Sequence, residues 1–67
     1  MKIHIVWFPR IGRFMGKRGI VEERAERAVM FWHFSEAQEF AAVLGGEVKL
    51  YEEAEKEQNS REVEEPF

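Results

Sequence analysis

Residues 3–8, Ile-His-Ile-Val-Trp-Phe, limit the fold more than any other stretch of the chain. In an extended chain successive side chains point to opposite faces. The expected first strand is Lys2–Phe8, in which Ile3, Ile5 and Trp7 share one face and His4, Val6 and Phe8 share the other. A strand apolar on both faces suits the centre of a sheet. Pro9 ends it, because proline brings no N–H to the ladder.

Two further strands and one helix follow from pattern. Arg27–Phe34 alternates Val29, Phe31 and His33 against Ala28, Met30, Trp32 and Phe34, which reads as the second strand. Helical spacing of Val21, Ala25, Ala28, Val29 and Trp32 offers a rival upstream, so residues 20–27 stay open between strand and helix. After Ser35 the pattern is a helix. Ser35 suits the N-cap with Gln38 three residues on. Ala37, Phe40, Ala41 and Leu44 make the apolar stripe, and Gly45-Gly46 stops the helix. Glu47–Tyr51 is the third strand.

The expected fold is α+β: a small three-stranded sheet with one helix on one face, in the order β-β-α-β. The first strand lies between the other two and antiparallel to both. Residues 1–51 form the domain, with a basic Gly-rich loop or mobile arm at 9–19. Residues 52–67 form an acidic, flexible tail. The helix would cover Ile3, Ile5, Trp7, Met30, Trp32, Val48 and Leu50. That leaves His4, Val6, Phe8, Val29, Phe31, His33 and Tyr51 on an open face. Few monomers keep such a patch in water, so a protein target or a homodimer is expected to cover it.

The basic arm carries its own expectation. A two-residue turn at Arg18-Gly19 would set His4 opposite His33, Val6 opposite Phe31 and Phe8 opposite Val29. The same register puts Arg10 against Arg27 and Arg13 against Arg24. Facing like charges repel, so the arm is expected to fray when free and order on a target.

Charge is uneven. Residues 1–34 carry seven basic and three acidic side chains, net +4, and residues 35–67 three basic and ten acidic, net −7. Two binding classes follow. A protein-binding module would use Val6, Phe8, Val29, Phe31 and Tyr51, with Glu36, Glu39, Glu47, Glu52 and Glu53 as an acidic surface. A nucleic-acid binder would use Arg10, Arg13, Lys17 and Arg18, with Phe14 for stacking. The net charge of −3 weighs against the second.

Catalysis finds little support. The chain has no cysteine, which removes disulfides, thiolate metal sites and thiol chemistry. Gly12 to Arg18 faintly resembles a phosphate loop, yet three residues separate its glycines and Arg18 stands where Ser or Thr belongs. His4 and His33 lack a third metal ligand. No enzyme, metal or cofactor is expected. The five-residue apolar run Ala28 to Trp32, which no other run exceeds, falls short of the ~20 residues that a membrane span needs, and a cytoplasmic protein without membrane contact is expected.

The stretch Phe34-Ser35-Glu36-Ala37-Gln38-Glu39-Phe40-Ala41-Ala42-Val43-Leu44-Gly45-Gly46-Glu47-Val48 resembles a pattern in small phage-encoded accessory proteins, among them host-takeover inhibitors and anti-CRISPR proteins. In these an aromatic strand end leads into an Ala-rich helix, a Gly-Gly stop and a short strand. The resemblance implies an inhibitor that occupies a functional surface of a host enzyme or defence complex, in the host cytoplasm. Its acidic half would then imitate nucleic-acid charge.

Overall fold

A computed structural model describes residues 2–64. One antiparallel sheet holds β1 (His4–Phe8), β2 (Arg13–Met15), β3 (Val21–Glu22) and β4 (Glu47–Leu50), in the spatial order β3-β2-β1-β4. Two helices complete an α+β fold, α1 (Phe34–Leu44) and α2 (Tyr51–Glu64). The sequence leads to one strand and one helix fewer.

β1 is central, as its two apolar faces require. β4 lies along one edge with Val6 opposite Val48, and β2 along the other with Trp7 opposite Phe14. Ile5 and Val6, neighbours in sequence, are both 0% exposed, one towards each face. Ile5 packs with Phe14, Ala25, Ala28 and Ala54, and Val6 with Met15, Phe31, Ala37 and Ala41.

The expected strand at Arg27–Phe34 is largely absent. Residues 25–27 are a 3₁₀ turn, and β pairing reduces to one bridge in which Phe31 and His4 exchange both backbone hydrogen bonds at 2.8 Å. The antiparallel sense is as expected, but His4 faces Phe31 instead of His33. The place of the missing strand is taken by β2, inside the stretch read as a loop or mobile arm. Phe14 and Met15 explain why that stretch is ordered: both are buried, on opposite faces. The arginine clash does not arise either, because Arg13 faces Phe8 and pairs with Glu23 at 3.5 Å.

The turn at Arg18-Gly19 is present. Arg18 (φ 59°) and Gly19 (φ 78°) are both left-handed, and the Ile20 N–H donates to the Lys17 carbonyl at 3.1 Å, the geometry of a type I′ hairpin turn. The Gly16 N–H also donates to the Ile20 carbonyl, at 2.7 Å, so Gly16 and Lys17 both oppose Ile20. This extra residue moves the ladder by one, and Met15 faces Val21. A Cβ on Gly16 would stand 2.4 Å from the Ile20 carbonyl oxygen, closer than any real contact.

Helix α1 is capped two residues earlier than expected. His33 occupies the N-cap, its side chain makes no capping bond, and Ser35 lies within the first turn. The Phe31 bridge, together with an edge-to-face contact between His4 and Phe34 at 5.8 Å, holds the helix start against β1. The stop is as expected, with Gly45 left-handed at φ 79° and the Gly46 N–H donating to the Ala41 carbonyl at 2.8 Å.

Residues 52–58 are not a flexible tail. Chain direction turns at Tyr51, whose N–H donates to the Ile3 carbonyl at 2.9 Å, and α2 folds back under the sheet. Ala54 is buried, and Gln58 clamps the 3₁₀ turn. Its Nε2 donates to the Glu23 carbonyl at 2.6 Å, and its Oε1 accepts from the Ala25 N–H at 2.9 Å. Lys49 pairs with Glu57 at 3.1 Å and places Nζ 5.0 Å from the Trp7 ring. Residues 65–67 of the expected tail lie outside the described residues.

Two stability predictions result. Gly16→Ala pushes a methyl into backbone and should cost about 2 kcal/mol, seen as a Tm lower by roughly 10 °C. Gln58→Ala strands two backbone groups and should cost about 1 kcal/mol, whereas Glu53→Ala on the exposed side of α2 should stay within about 0.5 kcal/mol.

Candidate docking groove

Helix α1 packs chiefly on β1 and β4 and covers the β2–β3 end of the same sheet face less fully. The sheet is wider than one helix, so an open groove runs between α1 and the β2–β3 hairpin. Met15, Val29 and Phe31 form its floor, Phe40, Val43 and Leu44 one wall, and Gly16 to Gly19 the other, around a cavity of about 660 Å³. It continues past Met15 and Leu44 into a hollow of about 620 Å³ lined by Phe8, Arg10, Ile11, Ile20 and Val21.

Helical geometry explains the apolar wall. The alanines Ala37 and Ala41 point at the sheet and bring α1 close to it. Phe40 and Leu44 lie on the flank towards the hairpin, and Phe40 leans on Phe31 with ring centroids 5.4 Å apart. Val43 falls off the inward stripe and is 82% exposed. The rim is cationic on the hairpin side through Lys17 and Arg18, with Arg10 beyond them, and acidic on the helix side at Glu39. Among the described residues no ion pair involves Arg10, Lys17 or Arg18.

The sequence-predicted binding residues divide between groove and core. Phe8, Arg10, Lys17, Arg18, Val29 and Phe31 line the groove. Val6 and Phe14 are buried in separate core clusters, and Phe31, although it touches the groove floor, is only 8% exposed. The expected open aromatic face is thus the covered one, because α1 sits on Val6, Phe8 and Val48. Ile5 and Trp7, expected under α1, instead face α2. Met30 and Trp32, expected in the core, are exposed. The acidic residues do not form one surface: Glu36 and Glu39 are on α1 and Glu52 and Glu53 on α2, which cover opposite faces, while Glu47 lies on β4.

Met15, Phe40, Val43 and Leu44 were missing from the expected site. Val43 had a signal, since an apolar side chain off the helical stripe must meet either solvent or a partner. Gly12 to Arg18 contains strand β2 and a tight turn in place of a phosphate loop that opens a helix. His4 and His33 are not paired across the sheet, and His4 Nδ1 is buried without a hydrogen-bond partner. No group of three or more potential metal ligands occurs among the described residues. No helix among them is long and apolar enough to cross a membrane.

Comparison with protein-family models, with curated proteins and with solved structures finds no match to this chain.

Tyr51 stands apart from the groove, at the β4–α2 junction, and donates to the Glu55 carboxylate at 3.0 Å. Partial burial, then the hydrogen bond to Glu55 and its charge, raise the phenol above its ordinary pKa of 10.0. The folded state thus favours the neutral phenol. That stability is complete below pH 10 and is lost as pH rises through the folded pKa. Denaturant titrations of wild type and Tyr51→Phe should show a steeper decline of wild-type stability above about pH 10. Parallel curves would remove Tyr51 from the alkaline loss.

Proposed function

We propose that this chain is a small protein-binding module that acts by occupying a surface on another protein and does no chemistry itself. One observation carries the reading. Ile11, Ile20, Val21, Phe40, Val43 and Leu44 are all exposed, and all line one connected groove. Single exposed apolar residues are ordinary, but a contiguous set around a hollow marks an interaction site. Met15 of β2 and the bridged segment at Val29 and Phe31 form the floor, both tied to the sheet by backbone hydrogen bonds, and a regular helix forms one wall, so the groove is pre-formed and binding costs little ordering. An inhibitor of a host enzyme or defence complex, the role that the phage-protein resemblance implies, would act through such a surface. The nucleic-acid reading fits less well. Arg13 is engaged with Glu23, and Phe14, the expected stacking residue, is 3% exposed.

Val43→Glu tests the reading, since that side chain is almost free of the core. Immobilised wild type and variant, matched for helix content by circular dichroism, are incubated with a cell lysate containing a tagged second copy of the chain. The groove reading expects a protein, foreign or the tagged copy, held by wild type and lost at least about tenfold by Val43→Glu. Equal retention by both would sink it. A salt-sensitive shift of a random-sequence oligonucleotide, unchanged by Val43→Glu, would move the assignment to nucleic acid.

A further inference from the structure

We propose that the occupant of the groove is helix α1 of a second copy of this chain, so that two sheets enclose a single layer made of two α1 helices side by side. This rests on the reading of the groove as a docking surface.

The distribution of side-chain sizes asks for a permanent cover. Ten apolar residues are buried among the described ones, and five of them are alanines: Ala25, Ala28, Ala37, Ala41 and Ala54. Among the residues whose burial is described, Ile5 and Val6 are the large side chains with no exposure, while Phe40 and Leu44 stay about half exposed, at 48% and 51%. A domain of this length is short of buried apolar surface even when its largest residues are inside. Here many lie outside, along the groove. A cover that is always present supplies the missing burial, and a second copy is present wherever the first is made.

Self-complementarity selects the copy over a foreign segment. A two-fold interface uses the same patch on both partners, so one patch must carry both halves of every contact. This patch does. It has a hollow over Met15 and Val29 and, beside it, an apolar projection at Val43. Residues 34–44 contain Glu36 and Glu39 and no basic residue, whereas residues 9–19 contain four basic residues and no acid. Seating α1 of one copy in the groove of the other carries its Glu39 towards Lys17 and Arg18, and symmetry repeats the contact. The outward side of α1, opposite Ala37 and Ala41, carries Glu39 flanked by Ser35 and Ala42, both small and exposed, so a facing surface can approach Glu39 closely. A foreign acidic helix would meet the cationic rim once and leave this chain's own α1 unanswered.

The test is sedimentation velocity over a concentration series, with helix content checked for every variant. Wild type should sediment as a dimer, and Val43→Glu should weaken association by about tenfold or more. A charge exchange then isolates the contact between copies. Glu39→Lys alone, and Lys17→Glu with Arg18→Glu alone, should each dissociate, because each sets like charges against each other in both halves of the interface. Mixing the two should restore a dimer of near wild-type affinity, since both halves are then opposite in sign. A contact within one chain cannot be rescued by mixing. A monomeric wild type would overturn the second-copy assignment, and the groove as a docking surface would still stand or fall on lysate capture. A wild-type dimer unaffected by Val43→Glu, or variants not rescued by mixing, would place the self-interface elsewhere and overturn the shared helical layer.

Discussion

Ile5 and Val6 are adjacent in sequence, point to opposite faces of β1, and are both wholly buried. The rest of the architecture answers to that pair. A single helix cannot bury both, so each face needs its own lid. α2 and the 3₁₀ turn close the Ile5 face, and α1 closes the Val6 face. Alanine recurs wherever a lid meets the sheet, which lets backbones approach closely but buries little area for each residue. The sheet is four strands wide, so a narrow lid on the Val6 side stops short of its far edge.

The two lids are held by different forces. Beneath the sheet, Gln58 ties α2 to the backbone of Glu23 and Ala25, and Lys49 spans Glu57 and the Trp7 ring. Directional contacts of this kind fix one arrangement and leave little for a partner to bind. Above the sheet, α1 is held by apolar packing and by its junctions with Phe31 and Gly45. Its hairpin-side flank meets open space. The working surface is therefore expected where polar clamping is absent.

Local signals carried the sequence reading far where chemistry is short-range. Period-two apolarity placed β1 at the centre, the Gly45-Gly46 stop and the Arg18-Gly19 turn came from the φ preferences of glycine, and β4 from Val48 and Leu50. Long-range competition hid the rest. Arg27–Phe34 alternates as well as β1 does, but β2 occupies the same edge of β1, leaving only Phe31 to bridge. The basic residues around Phe14 and Met15 disguised a strand as an arm, although two adjacent bulky apolar side chains can each reach a different core. The glutamates of residues 52–58 masked Ala54 and Gln58, because a helix needs only one small side chain and one amide facing inward to dock. The groove itself was legible only at Val43, since its floor depends on where α1 stops covering the sheet. The wrong choice of face came from assigning the lid to Ile5 when the register with β4 puts Val48 beside Val6.

The pairing of β1 with β4 sets His4 against Leu50, with two hairpin turns and α1 lying between them in sequence. During synthesis the β1–β2–β3 meander can zip as soon as it leaves the ribosome, through contacts that are close along the chain. It then waits. Until α1, β4 and α2 have emerged, Val6 has no lid and Ile5 only the 3₁₀ turn, and the β1 edge reserved for β4 offers unpaired N–H and C=O groups to any neighbouring nascent chain. The hazard falls in that interval, and it ends only when Tyr51 reaches the Ile3 carbonyl and turns the last helix under the sheet.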